Sequence, residues 1–521
     1  MTIFKSPYPD VEIPDVGLTE FVLGGAAARG DKPALIDGPT GRTITYGELA
    51  IGTQLVAASL AERGFKKGDV FAIFSPNVPE YAVAFHGVAA AGGIATTINP
   101  LYTTDELTFQ LKDSKAKYLL TIPQFLDRAQ EAAKNAGVEE VFVLGEAEGA
   151  TPVTELLAPK GDAPKVDISR DDLVVLPYSS GTTGLPKGVM LTHGNLVANI
   201  AQSLDAHGTN ENDVIIGVLP FFHIYGMTVI MNMAVRAGAT IVTMPKFDLE
   251  EFLTLMQDHK VTRAYLVPPI ILALAKHPIV EKYDLSALEV IMSGAAPLGE
   301  DLQEAAQNRV GGVVMQGYGL TETSPVTHMN PDEEGKGRVG SIGFLIPNTE
   351  SKIVDVESGK ELEANGTGEV LIRGPQVMKG YLNNDEATKR TIDSEGFLHS
   401  GDIGYVDDDG YFFLVDRLKE LIKYKGFQVP PAELEAVLLS HPNVGDAAVI
   451  GVPDEAAGEL PKAFVVKSGE VTEDEIMSFV AERVAPHKKI RIVEFTEEIP
   501  KSASGKILRR VLIEKERAAA S

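Results

Sequence analysis

The chain has 521 residues, 44% of them hydrophobic and 23% charged, with no cysteine, no tryptophan and a net charge of −26. That length holds more than one core of ordinary size, and the acidic balance excludes the broad basic surface of a non-specific nucleic-acid binder. The lack of thiols excludes disulfides, thiolate metal sites and a cysteine nucleophile together.

In chain order, Met1 to Val16 carries Pro7, Pro9 and acidic residues where a signal peptide needs an apolar stretch. From Val70 the pattern alternates short apolar runs with helical ones: Val70 to Phe74, Glu80 to Ala91, Tyr118 to Thr121, Gln124 to Ala136, Val141 to Leu144. Strands alternating with helices predict parallel sheets with helical crossovers. The alternation returns at Val214 to Val218, Thr240 to Met244, Ala264 to Val267 and Val290 to Ser293, which predicts a second sheet. Near residue 350 the texture becomes strand-dominated, through Lys352 to Val356, Gly368 to Arg373 and Tyr411 to Val415, as in a small barrel-like subdomain. Beyond Arg417 comes a charge-dense stretch, a helix opened by Pro430-Pro431 over Ala432 to Ser440, and strands at Ala447 to Gly451 and Lys462 to Lys467.

The expected fold is therefore α/β: a multi-subdomain N-terminal domain over 1–417, with two α/β sheets and a small barrel-like part, and a smaller mobile α+β domain over 418–521. No run approaches the ~18 apolar residues of a spanning helix, so no stable membrane association is expected. The end, Ala-Ala-Ala-Ser, lacks a peroxisomal tripeptide, and the expected location is cytoplasmic, as a monomer or weak homodimer.

The most informative stretch follows the apolar run Leu173 to Leu176: Tyr178-Ser179-Ser180-Gly181-Thr182-Thr183-Gly184-Leu185-Pro186-Lys187-Gly188. Small residues let backbone N–H groups converge on an anion, hydroxyls add donors, and Lys187 supplies a mobile positive charge. The spacing is not that of the P-loop, which needs four residues between its first glycine and Gly-Lys-Ser/Thr. Further blocks follow in order: Leu219-Pro220-Phe221-Phe222-His223-Ile224-Tyr225-Gly226, Ser293-Gly294-Ala295-Ala296-Pro297-Leu298, Gln316-Gly317-Tyr318-Gly319-Leu320-Thr321-Glu322, Ser400-Gly401-Asp402, Asp416 to Gln428, and Pro500-Lys501-Ser502-Ala503-Ser504-Gly505-Lys506. In these blocks the sequence resembles the adenylate-forming superfamily of acyl-CoA synthetases, adenylation domains and beetle luciferases. The His223 to Gly226 and Lys423 to Gln428 segments look most like those of 4-coumarate:CoA ligases.

The resemblance implies an acid activated with ATP and Mg²⁺ and passed to coenzyme A. It places Ser179, Ser180, Gly181, Thr182, Thr183, Gly184 and Lys187 on the phosphates, with Thr321 on the α-phosphate. Glu322 is assigned to the magnesium, because a carboxylate beside polyphosphate needs a cation between. Gln316, Gly317 and Tyr318, with Ala295, would wall the adenine, while Asp402 and Arg417 would hold the ribose. Lys506 would bridge substrate carboxylate and α-phosphate, neutralising charge as pyrophosphate leaves. Lys419, counted among the nucleotide-binding residues, falls at the hinge about which the small domain turns between half-reactions. In the second orientation Lys423 and Gln428 would face the adenylate, and Lys246, Lys425 and Gly426 would contact CoA.

His223 is read as a gate between acyl pocket and CoA tunnel, with a packed core histidine as the plainer alternative. Tyr225, Gly294, Gly319, Pro325 and Val326 match positions lining an aromatic-acid slot. Where plant members often carry serine shortly after this tyrosine, the chain has Val229, which leaves cinnamate or another weakly polar acid open. Competing readings are a medium-chain fatty acyl-CoA synthetase, a stand-alone or luciferase-like adenylating enzyme, and a non-catalytic AMP-binding module. Glu322 and Lys506, which mere AMP binding does not require, argue against the last.

Overall fold

The computed structural model describes residues 2–179, 186–333, 335–425, 427–454, 457–503 and 505–519. One large sheet runs, edge to edge, through Gly380–Tyr381, Lys187–Thr192, Leu173–Ser179, Ile94–Thr97, Val70–Phe74, Ala116–Thr121, Glu140–Val143 and Thr151–Pro152. Val70–Phe74 lies parallel to both neighbours and is buried at all five positions, as a strand covered on both faces must be. The crossover helices carry their own start signals. Pro79 opens Pro79–Ala90, and Thr103 with Glu106 closes a capping box on Thr104–Ser114. The helix expected from Gln124 begins instead as a tight turn, Pro123–Phe125, ahead of Leu126–Ala136.

A second sheet has a parallel centre made of Thr240–Thr243, Val214–Gly217, Arg263–Leu266, Val290–Ser293 and Val313–Gly319, with Val326–Met329 antiparallel at one side. Its other edge is Pro33–Asp37 and Thr43–Thr45, so an early segment crosses over to pair with Thr240–Thr243. A continuous core spans both sheets and includes Phe71, Phe85, Phe221, Ile215 and Ile241.

The strand-dominated region is a five-stranded antiparallel sheet in the order Phe4–Lys5, Glu350–Val354, Gly368–Arg373, Leu398–Val406, Phe412–Arg417. Two of these strands sit one or two residues away from the sequence expectation, because pairing of Glu350 with Arg373 and of Asp402 with Arg417 sets their registers. After a turn in which Arg417 O accepts from Glu420 N at 2.9 Å, the chain enters a separate sheet built on the long hairpin Val444–Asp454 and Gly458–Lys467. This region has its own core of Ile422, Val429, Leu434, Val449, Ala463 and Ile476. It touches the large region through Ala432 N, which donates to Asp416 Oδ2 at 2.8 Å, and through Lys276 Nζ, which donates to Leu439 O at 2.6 Å.

Candidate active site

A cavity of about 1120 Å³ opens where the sheets and the C-terminal region meet. Its walls include Ser179, Lys187, Thr321, Glu322, Arg417, Lys419 and Lys506, together with His223, Tyr225, Gly294, Ala295, Gly317, Tyr318, Gly319, Pro325 and Val326. Ser180 to Gly184 and Gly426 lie outside the described residues.

Lys506 comes from a short hairpin in which Lys501 bridges to Ile507 and Lys506 N donates to Ser502 Oγ at 3.2 Å. Gly505 turns it with φ of 77°, and a Cβ there would sit 3.0 Å from Val267 of the large region. Glycine is thus favoured by the backbone conformation, and the docking of the hairpin leaves only tight room for a Cβ. Burial first, and then the nearby Arg417 guanidinium, pull the Lys506 ammonium down to about 8, against the opposing charges of Asp402, Glu420 and Glu322.

Glu322 accepts from Ser179 Oγ at 3.1 Å and from Tyr381 Oη at 2.8 Å. Lys187 lies with its Nζ 4.2 Å from the centroid of the same tyrosine ring. Asp402 accepts from Tyr318 Oη at 2.5 Å and pairs with Arg417 Nε at 3.2 Å. Burial raises its carboxyl above the ordinary value, while Arg417 and Tyr318 oppose the shift. Each carboxylate oxygen keeps a lone pair beyond these contacts.

Gln316 stands behind the wall. Its amide accepts from Leu298 N at 3.0 Å and donates to Leu298 O at 3.2 Å, clamping the loop that carries Ala295. Ala295 holds φ of 70°, a conformation a non-glycine residue keeps only where its surroundings enforce it. Gln316, expected on the adenine wall, thus does not line the cavity and braces the loop that does.

The segment carrying His223 and Tyr225 is tied down by Asn77, which donates to Gly217 O and Leu219 O and accepts from Phe221 N. His223 Nδ1 accepts from Tyr225 N at 3.3 Å, and burial, then the charge of Lys506, lower the ring to about 4. It is neutral at physiological pH, with Nε2 left as the donor. From Gly226 to Met233 the chain forms a π-helix, a form common at functional sites. Val229 lies buried within it, off the cavity wall.

Tyr225 Oη donates to Met292 O at 3.3 Å, and its ring sits edge-on to Tyr265. A Cβ on Gly294 would meet that ring at 2.8 Å, so the glycine makes room for Tyr225. Gly319, also on the cavity wall, has a further reason: a Cβ there would lie 2.0 Å from Pro325 O, so the glycine permits the hairpin from Val313–Gly319 into Val326–Met329. Asn199 locks that hairpin, accepting from Val326 N and donating to Val326 O. Lys423, Gln428, Lys425 and Lys246 are exposed and off the cavity wall in this orientation. A tyrosine in a turn-rich stretch carries no signal of its own, so Tyr381 emerges as a site residue only from the fold.

An open α/β scaffold with a small α+β region delivering a lysine, Lys506, to a cavity that also holds Lys187, Thr321 and Glu322 defines a nucleotide-using adenylating protein. The chain belongs to the AMP-binding enzyme family, which matches residues 24–382, and the family's C-terminal domain matches residues 433–506. It is 47% identical to 4-coumarate–CoA ligase 3 of Oryza sativa subsp. japonica, over 98% of this chain and 94% of that protein. It is 46% identical to 4-coumarate–CoA ligase 1 of Petroselinum crispum, over 98% and 96%. Among solved structures it is similar to the anthranilate CoA ligase AuaEII in complex with anthranoyl-AMP, with a TM-score of 0.91 and 28% identity over 98% of this chain and 99% of that one. ATP-bound MatB from Rhodopseudomonas palustris has a TM-score of 0.86 and 30% identity, over 97% and 100%.

Proposed function

We propose that the chain is an AMP-forming acid–thiol ligase that takes a hydroxycinnamate or cinnamate-type acid, ATP and CoA. The observation that carries this reading is one cavity holding Lys187, Thr321, Glu322 and Lys506 together with the Tyr225–Gly294 wall. In the first half-reaction an oxygen of the acid attacks the α-phosphorus and pyrophosphate leaves with the bonding pair. Two anions must approach, and the Lys506 ammonium offsets their repulsion in a site shielded from water. In the second, the CoA sulfur attacks the acyl carbonyl and AMP departs.

Magnesium fits the donor set. Glu322 is a carboxylate flanked by the Ser179 and Tyr381 hydroxyls, and one carboxylate plus substrate phosphates is a common magnesium arrangement. Among the described residues no group of three His, Cys, Asp or Glu could hold a metal unaided, so Glu322 would hold the ion together with oxygens of the nucleotide. When bound, the ion neutralises phosphate charge.

Lys506 occupies the cavity while Lys423 and Gln428 do not, which fits the adenylating orientation. Rotation about Lys419 would withdraw the first and bring in the others, letting pyrophosphate leave before the thiol enters. At the acid end Ile224, Met292 and Val326 give an apolar lining suited to a planar ring. The test is a panel of cinnamate-type, benzoate-type and saturated acids with ATP, Mg²⁺ and CoA, following thioester absorbance and AMP release. Preference for cinnamate-type acids is expected, and a preference for long saturated acids would refute the substrate assignment.

A further inference from the structure

Between the lysine of the phosphate loop and the carboxylate assigned to magnesium stands one side chain, Tyr381. Its position is set by backbone pairing. The two-residue strand Gly380–Tyr381 is antiparallel to Lys187–Thr192, with Val189 opposite Tyr381. Leu382 N donates to Gly188 O at 2.8 Å and Lys379 N to Met190 O at 3.0 Å, which stitches the segment to the strand that begins at Lys187. Met378 N donates to Glu322 O at 2.8 Å, which stitches it to the turn bearing the carboxylate. The backbone of residues 378–382 is thus a clamp joining two parts of the site, and Tyr381 is the side chain it delivers between them.

The two ends of that side chain do different work. The ring face carries the Lys187 ammonium 4.2 Å from its centroid, a cation–π contact. The hydroxyl donates to Glu322 Oε1 at 2.8 Å. Tyr381 is only 4% exposed, so both contacts are made away from bulk water, where they weigh more. Burial, and then the charge of Glu322, push its phenol well above the usual value, so it remains a donor at any physiological pH. A direct ion pair between this lysine and this carboxylate would tie up both charges and leave neither free for substrate. Lys187 instead lies against the Tyr381 ring, and Glu322 accepts from the Ser179 and Tyr381 hydroxyls.

We propose that Tyr381 is a positioning residue for the adenylation step, holding the Lys187 ammonium on its ring face for phosphate and the Glu322 carboxylate by its hydroxyl for the metal, and so keeping the two charges apart. This rests on the reading of Lys187 and Glu322 given above. The two functions are separable, because phenylalanine keeps the ring and loses the hydroxyl, while leucine loses both.

The experiment measures ATP affinity of the full chain by calorimetry, in EDTA and across a Mg²⁺ titration, for wild type, Tyr381→Phe and Tyr381→Leu, with thermal midpoints recorded for each. In wild type, Mg²⁺ is expected to tighten ATP binding. Tyr381→Phe should keep the metal-free affinity within about twofold, while the half-saturating Mg²⁺ rises about tenfold, the effect of losing one hydrogen bond to a charged acceptor. Tyr381→Leu should weaken metal-free ATP binding as well. The proposal is overturned if Tyr381→Phe shows the wild-type Mg²⁺ dependence, whatever its thermal midpoint, or if both variants lose metal-free affinity equally. A wild-type protein that binds ATP with no gain from Mg²⁺ overturns the metal role of Glu322 itself, a failure distinct from that of Tyr381.

Discussion

Adding one methyl group at Gly294 should damage acid recognition while sparing the nucleotide. A Cβ at this position would lie 2.8 Å from Tyr225 Cε1, 3.1 Å from Cζ and 3.3 Å from Oη. Ordinary van der Waals contact between carbons begins near ~3.5 Å, so the ring must move by several tenths of an ångström. It has little freedom, being buried, bonded through Oη to Met292 O and packed edge-on against Tyr265. Overpacking of a fitted site costs about 1–3 kcal/mol, which corresponds to roughly 5- to 150-fold in kcat/KM if the strain is felt when the acid binds. Gly294→Ala should therefore lower kcat/KM for 4-coumarate within that range, and Gly294→Leu should lower it further, with KM for ATP unchanged in pyrophosphate exchange. The assay varies acid at saturating ATP and CoA and then ATP at saturating acid. A Gly294→Ala enzyme with wild-type kcat/KM for the acid would refute the argument that this glycine makes room for Tyr225.

Lys506→Ala should abolish adenylate formation and leave thioester formation from a supplied acyl adenylate largely intact; equal loss in both refutes the two-orientation scheme. Because burial lowers this lysine from 10.5 to about 8, adenylation kcat/KM should fall as pH rises through about 8, and a flat profile to pH 9 would contradict the assigned ionisation. The same shift penalises folding fully below pH 8 and progressively less between 8 and 10.5, so Lys506→Met should raise the melting temperature of the ligand-free protein more at pH 7 than at pH 10. Lys419→Pro, fixing φ near ~−65° in the turn after Arg417, should permit adenylation and slow thioester formation, measured by rapid quench of each half-reaction. Asp213→Ala should strand Arg263, whose Nε lies 3.0 Å from the Asp213 carboxylate in a buried pair, and cost about 3–5 kcal/mol of stability by denaturant titration. A change below ~1 kcal/mol would show that Asp332, 3.0 Å from Arg263 Nη1, suffices alone.

Local chemistry is legible in the residue order alone. Val70–Phe74 and Val290–Ser293 are strands because short uninterrupted apolar runs bounded by turns suit a buried parallel sheet, and both fall at the expected residues. The ordered blocks suffice to assign a nucleotide-binding family and to single out Lys187, Glu322, Tyr225 and Lys506, all of which line the same cavity. Tertiary structure decided what depends on pairing between distant positions. Nothing local sends Pro33–Asp37 to the second sheet, or brings Gly380–Tyr381 beside Lys187–Thr192, because backbone hydrogen bonds take any partner and the choice belongs to the packed whole. For the same reason only the fold shows that Gln316 braces the neighbouring loop from behind the cavity wall, and that Gly319, which lines the cavity, also serves a close backbone approach. Tyr381 was invisible for a related cause: its significance lies in the two charged groups on either side of it, which only the folded chain brings together.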